Sequence, residues 1–102
     1  MYIGIWCSPS FIDQELFNEV LLEYNKNIHL ATISAPRGML ESFIMTFAWS
    51  YSRTWECVEP SIFETCCSKY IFFMNEGDCV DEKETPKCNL DIECITYYSN
   101  YK

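Results

Sequence analysis

The chain has 102 residues, 49% of them hydrophobic and 17% aromatic. That suits one domain with a full core and leaves no room for two independent ones. Fifteen acids against seven bases give a net charge of −8, and such scattered, outnumbered bases argue against nucleic-acid binding through the phosphate backbone and against an anionic membrane.

The first six residues after Met1, Tyr2 to Cys7, are aromatic and β-branched and predict a strand. Pro9, Ser10 and Asp13 then read as a helix start, with Ser10 as N-cap and Asp13 as its acid three residues on. Ile12, Leu16, Phe17, Val20, Leu21 and Tyr24 recur at helical spacing. Asn25-Lys26-Asn27 stops that helix, residues 28–34 predict a strand, and Pro36-Arg37-Gly38 a turn.

Phe43, Met45, Phe47, Trp49 and Tyr51 alternate with Ile44, Thr46, Ala48 and Ser50. Period two predicts a strand here, weakly continued to Trp55 and Cys57, with a helix over 39–49 as the rival. Pro60, Ser61 and Glu64 then repeat the helix-start pattern, and Phe63, Cys67, Tyr70, Ile71 and Met74 form a helical stripe closed by Gly77. Residues 76–87 are charged and read as a loop with a short edge strand near Cys79. Residues 90–98 predict the last strand.

Set side by side, the halves share an order. Tyr2, Trp6, Cys7, Pro9, Ser10 and Asp13 answer Tyr51, Trp55, Cys57, Pro60, Ser61 and Glu64 once two one-residue gaps are allowed. Pro36-Arg37 answers Pro86-Lys87. The expectation is a single domain, 1–102, built of two motifs, 1–50 and 51–102, each strand–helix–strand–strand. Neither motif is stable alone at about 50 residues, so the two must share a core. The fold class expected is α+β: helices on one face of an antiparallel or mixed sheet, in a pseudo-twofold arrangement.

The chemistry-bearing residues are sparse. There is one histidine, His29, expected mid-strand as a structural residue. None of the seven cysteines forms a Cys-x-x-Cys pair, so no metal site is expected. Cys79 and Cys88 flank a polar turn and could close a small disulfide loop, though most of the seven are expected as reduced, small hydrophobes. No phosphate loop, nucleophile elbow or dinucleotide fingerprint occurs, so neither cofactor nor catalysis is expected. Met1 to Gly4 lack the basic start of a secretory leader. The longest apolar stretches, 43–49 and 70–74, fall far short of the about 20 residues that span a bilayer.

The Trp6-Cys7 and Trp55-Glu56-Cys57 pair, the seven cysteines and seven tyrosines, and the overall length give the whole chain a resemblance to small proteins of filamentous viruses that infect hyperthermophilic archaea, of the Acidianus filamentous virus kind. The resemblance implies a host-cytoplasm or virion setting and makes intracellular disulfides expected there. It carries no active residues across.

The functional expectation is a protein–protein interaction module. Its partner is a protein or peptide with basic residues, lying in a groove between the two motifs and anchored by Trp6, Trp49, Tyr51 and Trp55. The alternatives are a virion-associated structural protein and, further off, a thiol-dependent enzyme.

Overall fold

The computed structural model describes residues 2–8, 10–25, 27–33, 40–77, 86, 88, 89 and 91–100. The elements run β1 (Tyr2–Cys7), α1 (Gln14–Leu22), β2 (His29–Ile33), α2 (Leu40–Tyr51), β3 (Thr54–Val58), α3 (Pro60–Cys66), β4 (Cys67–Asn75) and β5 (Cys94–Ser99). The expected mixture of helices and strands is present, with the helices packed on a sheet. The sheet itself differs from expectation. Its order is β3-β2-β1-β4-β5 and every neighbouring pair is parallel.

The physical reason lies in two segments. Residues 43–51 form helix, not strand. Leu40, Phe43, Ile44, Phe47 and Ala48 are the buried members, and they fall at i, i+3, i+4, i+7 and i+8. The alternating reading needed Met45 and Trp49 inside, and both are exposed. With α2 in place, each of the first three strands is followed by a helix before the next strand. Such crossovers make parallel neighbours.

The second segment is 67–75. The stripe Cys67, Tyr70, Ile71, Met74 predicts helix, but the helix stops at Cys66 and β4 follows without a loop. Cys67 is already extended at φ −83° and ψ 140°. β4 is paired on both sides and holds four consecutive buried residues, Tyr70 to Phe73. A central parallel strand is buried on both faces and so reads as a continuous apolar run, which helical spacing also fits.

The internal duplication and its pseudo-twofold arrangement are not shown. Among the described residues the first half runs strand–helix–strand–helix and the second strand–helix–strand–strand. The first crossover joins neighbouring strands, whereas the third carries the chain from β3 past β2 and β1 to β4. The expected edge strand near Cys79 lies outside the described residues.

Both faces of the sheet are covered, where cover on one was expected. On one, α1 and α2 bring Phe17, Val20, Leu21, Phe43, Ile44 and Phe47 against Ile3, Ile5, Leu30, Ile71 and Phe73. The N-cap of α1 is Asp13 rather than Ser10: its Oδ1 accepts from the Leu16 N–H at 3.0 Å. On the other face α3 and the chain around Cys88 and Ile92 cover Ala31, Val58, Tyr70 and Phe72. α3 starts with Pro60 at its first turn and has no side-chain cap. Ser61 is therefore not the cap its sequence position predicts.

α3 is only seven residues long, and its seat depends on Gly4 and Tyr70. The Tyr70 hydroxyl reaches the carbonyls of Phe63 (2.6 Å) and Glu64 (2.9 Å). These are groups in the last turn, which the helix itself leaves without partners. The Tyr70 and Phe63 rings lie 5.2 Å apart, directly over Gly4. A Cβ at Gly4 would stand 2.8 Å from Tyr70 Cδ1 and 2.9 Å from Phe63 Cε2 and Cζ. These are rigid ring atoms, not the ends of flexible chains, so they cannot give way cheaply. Gly4→Ala is therefore expected to lower stability by about 1–3 kcal/mol through overpacking. Urea denaturation of the two proteins measures it.

Candidate functional site

A surface groove lies where α2 turns into β3. α2 ends in a left-handed C-cap: Ser52 has φ 55°, and the Arg53 N–H donates to the Ala48 carbonyl at 3.0 Å. This is the Schellman arrangement, normally served by glycine. It folds β3 back beside the outer face of α2. Met45, Ala48, Trp49, Arg53 and Trp55 then line an open groove of about 310 Å³. Trp49 is 90% exposed and Met45 51%. Ser52→Gly should relieve the left-handed strain and raise stability by roughly 0.5–1 kcal/mol, read from thermal denaturation.

Arg53 is held within its own chain. Nη1 donates to the Tyr24 carbonyl at 2.8 Å, and the guanidinium lies over the Phe47 ring at 5.6 Å. Its Nε is buried without a hydrogen-bond partner among the described residues. The arginine thus forms the polar floor of an otherwise apolar groove.

β3 is an edge strand. Among the described residues it pairs only with β2, from His29↔Thr54 to Ile33↔Val58. Its two faces differ in chemistry. Trp55 and Cys57 look to the α2 side, where Cys57 Sγ meets Thr32 Oγ1 at 3.4 Å. Thr54, Glu56 and Val58 look to the α3 side. There His29 is held by both nitrogens, Nδ1 to Thr54 Oγ1 at 2.7 Å and Nε2 to Glu56 Oε1 at 3.6 Å. The Tyr2 ring stands edge-on to the imidazole at 5.1 Å. Glu56 raises the Tyr2 hydroxyl pKa by hydrogen bonding and by charge.

Of the four aromatics singled out from sequence, Trp49 and Trp55 share the groove. Tyr51 lies at the end of the same helix, its ring 5.1 Å from Phe47. Trp6 is elsewhere: it packs on Phe72, 5.4 Å away, on the opposite face of the sheet. Alternation of types in the sequence cannot reveal this, because the face of a residue depends on which strand pairs with which. Met45 and Arg53 joined the site only through the C-cap, whose sequence signal at Ser52 is weak.

A second place to look is the carboxyl end of the sheet, where the strand order reverses between β1 and β4. Open parallel sheets commonly bind ligands at such a point. Here the polar groups are engaged with each other. The Ser99 hydroxyl donates to Asp13 Oδ2 at 2.7 Å, the other Asp13 oxygen caps α1, and Asn75 Nδ2 donates to the Ser10 carbonyl at 2.7 Å. A carboxylate at the start of α1 also repels phosphate.

Among the described residues, no group of three or more His, Cys, Asp or Glu is placed to hold a metal ion. No described helix is long and apolar enough to cross a membrane. Cys7, Cys57, Cys66, Cys67, Cys88 and Cys94 are free thiols. Cys79, the proposed disulfide partner of Cys88, lies outside the described residues. Burial pushes the Cys67 thiol up to about 11 and Cys88 to about 12, and raises Cys7 further still. No protein-family model, curated protein or solved structure matches the chain.

The raised thiols set an alkaline limit. Above their ordinary value of about 9, the unfolded chain loses these protons and the folded chain keeps them, so unfolding gains. Stability is fully present below pH 9 and declines from there towards the folded values. Melting temperature followed between pH 7 and pH 11 should fall in that upper range, and less steeply in Cys88→Ala.

Proposed function

We propose that the protein is an interaction module without catalytic activity that takes an extended segment of a partner along β3 and the groove beside Trp49 and Trp55. The observation that supports this most directly is Trp49, 90% exposed on a helix beside β3, which among the described residues pairs only with β2. An edge of this kind invites strand pairing. In that mode main-chain hydrogen bonds supply affinity, and pockets for alternate side chains supply specificity. The groove draws Met45, Ala48 and Trp49 from one side of residue 50 and Arg53 and Trp55 from the other.

The two faces of β3 define the partner. Beside Trp49, Met45 and Trp55 an apolar side chain is favoured. On the other face Glu56 is exposed, with Glu59 just beyond the strand, and the whole chain carries −8. Basic side chains suit that face. The segment proposed therefore alternates apolar and basic residues. The setting proposed with it, on the viral resemblance alone, is the host cytoplasm, with the virion as the other location. A duplication is likewise proposed as the origin of the strand–helix–strand order that β1-α1-β2 shares with β3-α3-β4.

Extended peptides alternating valine and lysine, titrated while tryptophan fluorescence is followed, test the reading. Trp49→Ala should weaken binding by about tenfold or more. It should leave stability within about 0.5 kcal/mol, because the side chain lies outside the core. Equal binding of valine–glutamate peptides, or binding unchanged in both Trp49→Ala and Trp55→Ala, overturns the assignment.

A further inference from the structure

At the other edge of the sheet the structure gathers four thiols. Cys66 and Cys67 stand at the junction of α3 and β4, Cys94 opens β5, and Cys88 lies in the chain that leads into it. Two of them are juxtaposed by backbone pairing. The Cα partner of Cys94 is Tyr70, so its side chain projects on the same face as the Tyr70 ring. That face also receives Cys88, which packs on the cluster of Phe63, Cys67 and Tyr70. The next residue, Asn89, donates its N–H to the Tyr70 hydroxyl at 3.3 Å. The turn between the two cysteines is held by Ile92 N–H to the Asn89 carbonyl and Asp91 N–H to Asn89 Oδ1, both at 3.0 Å. Tyr70 thus fixes both ends and brings the Cys88 and Cys94 side chains to the same face of the sheet.

We propose that Cys88 and Cys94 are a disulfide-forming pair, oxidised by exchange with a small disulfide such as oxidised glutathione. The Cys94 thiolate attacks one sulfur of that disulfide and expels the first glutathione thiolate, leaving a mixed disulfide on Cys94. The Cys88 thiolate then attacks the Cys94 sulfur, forms the Cys88–Cys94 bond and expels the second. Two protein thiols are oxidised, one small disulfide is reduced, and the two protons pass to the released thiolates. Cys94 acts first because its residue is exposed, while Cys88 is half-buried. Burial raises both thiols, so the exchange is slow at neutral pH and quickens as pH rises.

The bond would act on β5. Among the described residues that strand pairs only with β4, and an edge strand held on one side is where local opening begins. Tying its first residue to Cys88 closes a short loop and restricts the unfolded chain.

The test uses the full-length reduced protein, incubated with oxidised glutathione in mildly alkaline buffer, alkylated and mapped by peptide mass spectrometry. The expected product is a Cys88–Cys94 cross-link. It should raise the melting temperature by roughly 5 °C or more, and a reductant should reverse it. Cys88→Ser should retain glutathione on Cys94, whereas Cys57→Ser should cross-link normally. Mapping of the unmodified sequence keeps the test independent of any variant's folding. A cross-link from Cys88 to Cys79 or Cys67, or glutathione adducts alone, overturns the proposal.

Discussion

The contact on which this fold depends is the Tyr70 ring lying over Gly4 and against Phe63. A wholly parallel sheet must be covered on both faces. Two helices cover the first face with a cluster of phenylalanines. Among the described residues the second has one helix, of seven residues and too short to be stable by its own hydrogen bonds, with Cys88 and Ile92 beside it. Tyr70 makes that helix sufficient: its hydroxyl serves the carbonyls of the last turn, and its ring fills the space that Gly4 leaves open. Asn89 donates to the same oxygen, so the chain entering β5 is tied to this one side chain as well.

The distribution of accessible chemistry follows from that economy. The centre of the sheet is closed, and at the switch point Asp13, Ser99 and Asn75 are engaged in holding the loop after β1 and the ends of β4 and β5. The two edges of the sheet carry the candidate groups. One edge offers Trp49, Met45 and Trp55 beside β3, which among the described residues pairs only with β2. The other offers the Cys88 and Cys94 thiols at the base of β5. A binding role at the first edge and a covalent tie at the second are compatible, since three strands, β2, β1 and β4, stand between β3 and β5.

Much of the first half was legible. β1, α1 and β2 fall within a few residues of their predicted positions, because turn residues punctuate them and their apolar spacing fits one period. α2 and β4 were not legible as such. In 43–51 nearly every residue is apolar or small, so periods of two and 3.6 both find support. In 67–75 the run is apolar because both faces are buried, and a continuous apolar run carries no period at all. Of the four aromatics singled out from the sequence, Trp49 and Trp55 share one groove. Trp6, which the sequence sets opposite Trp55 in the repeat, packs on Phe72 on the other face.

By itself, the sequence determined the element-forming segments at the start of the chain, the acidic surface, the absence of motifs for known chemistry and the size of the shared core. Those follow from local preferences and from composition. Tertiary structure alone decided that the sheet is parallel, that Phe47 is inside while Trp49 is out, and that Cys88 and Cys94 lie on the same face of the sheet. The physical reason is the same in each case. Phe47 and Trp49 are equally able to be buried, and only the packing of α2 on the sheet selects between them. Cys88 and Cys94 share a face because Tyr70 pairs with one and holds the neighbour of the other, and strand register is a property of contacts between distant segments.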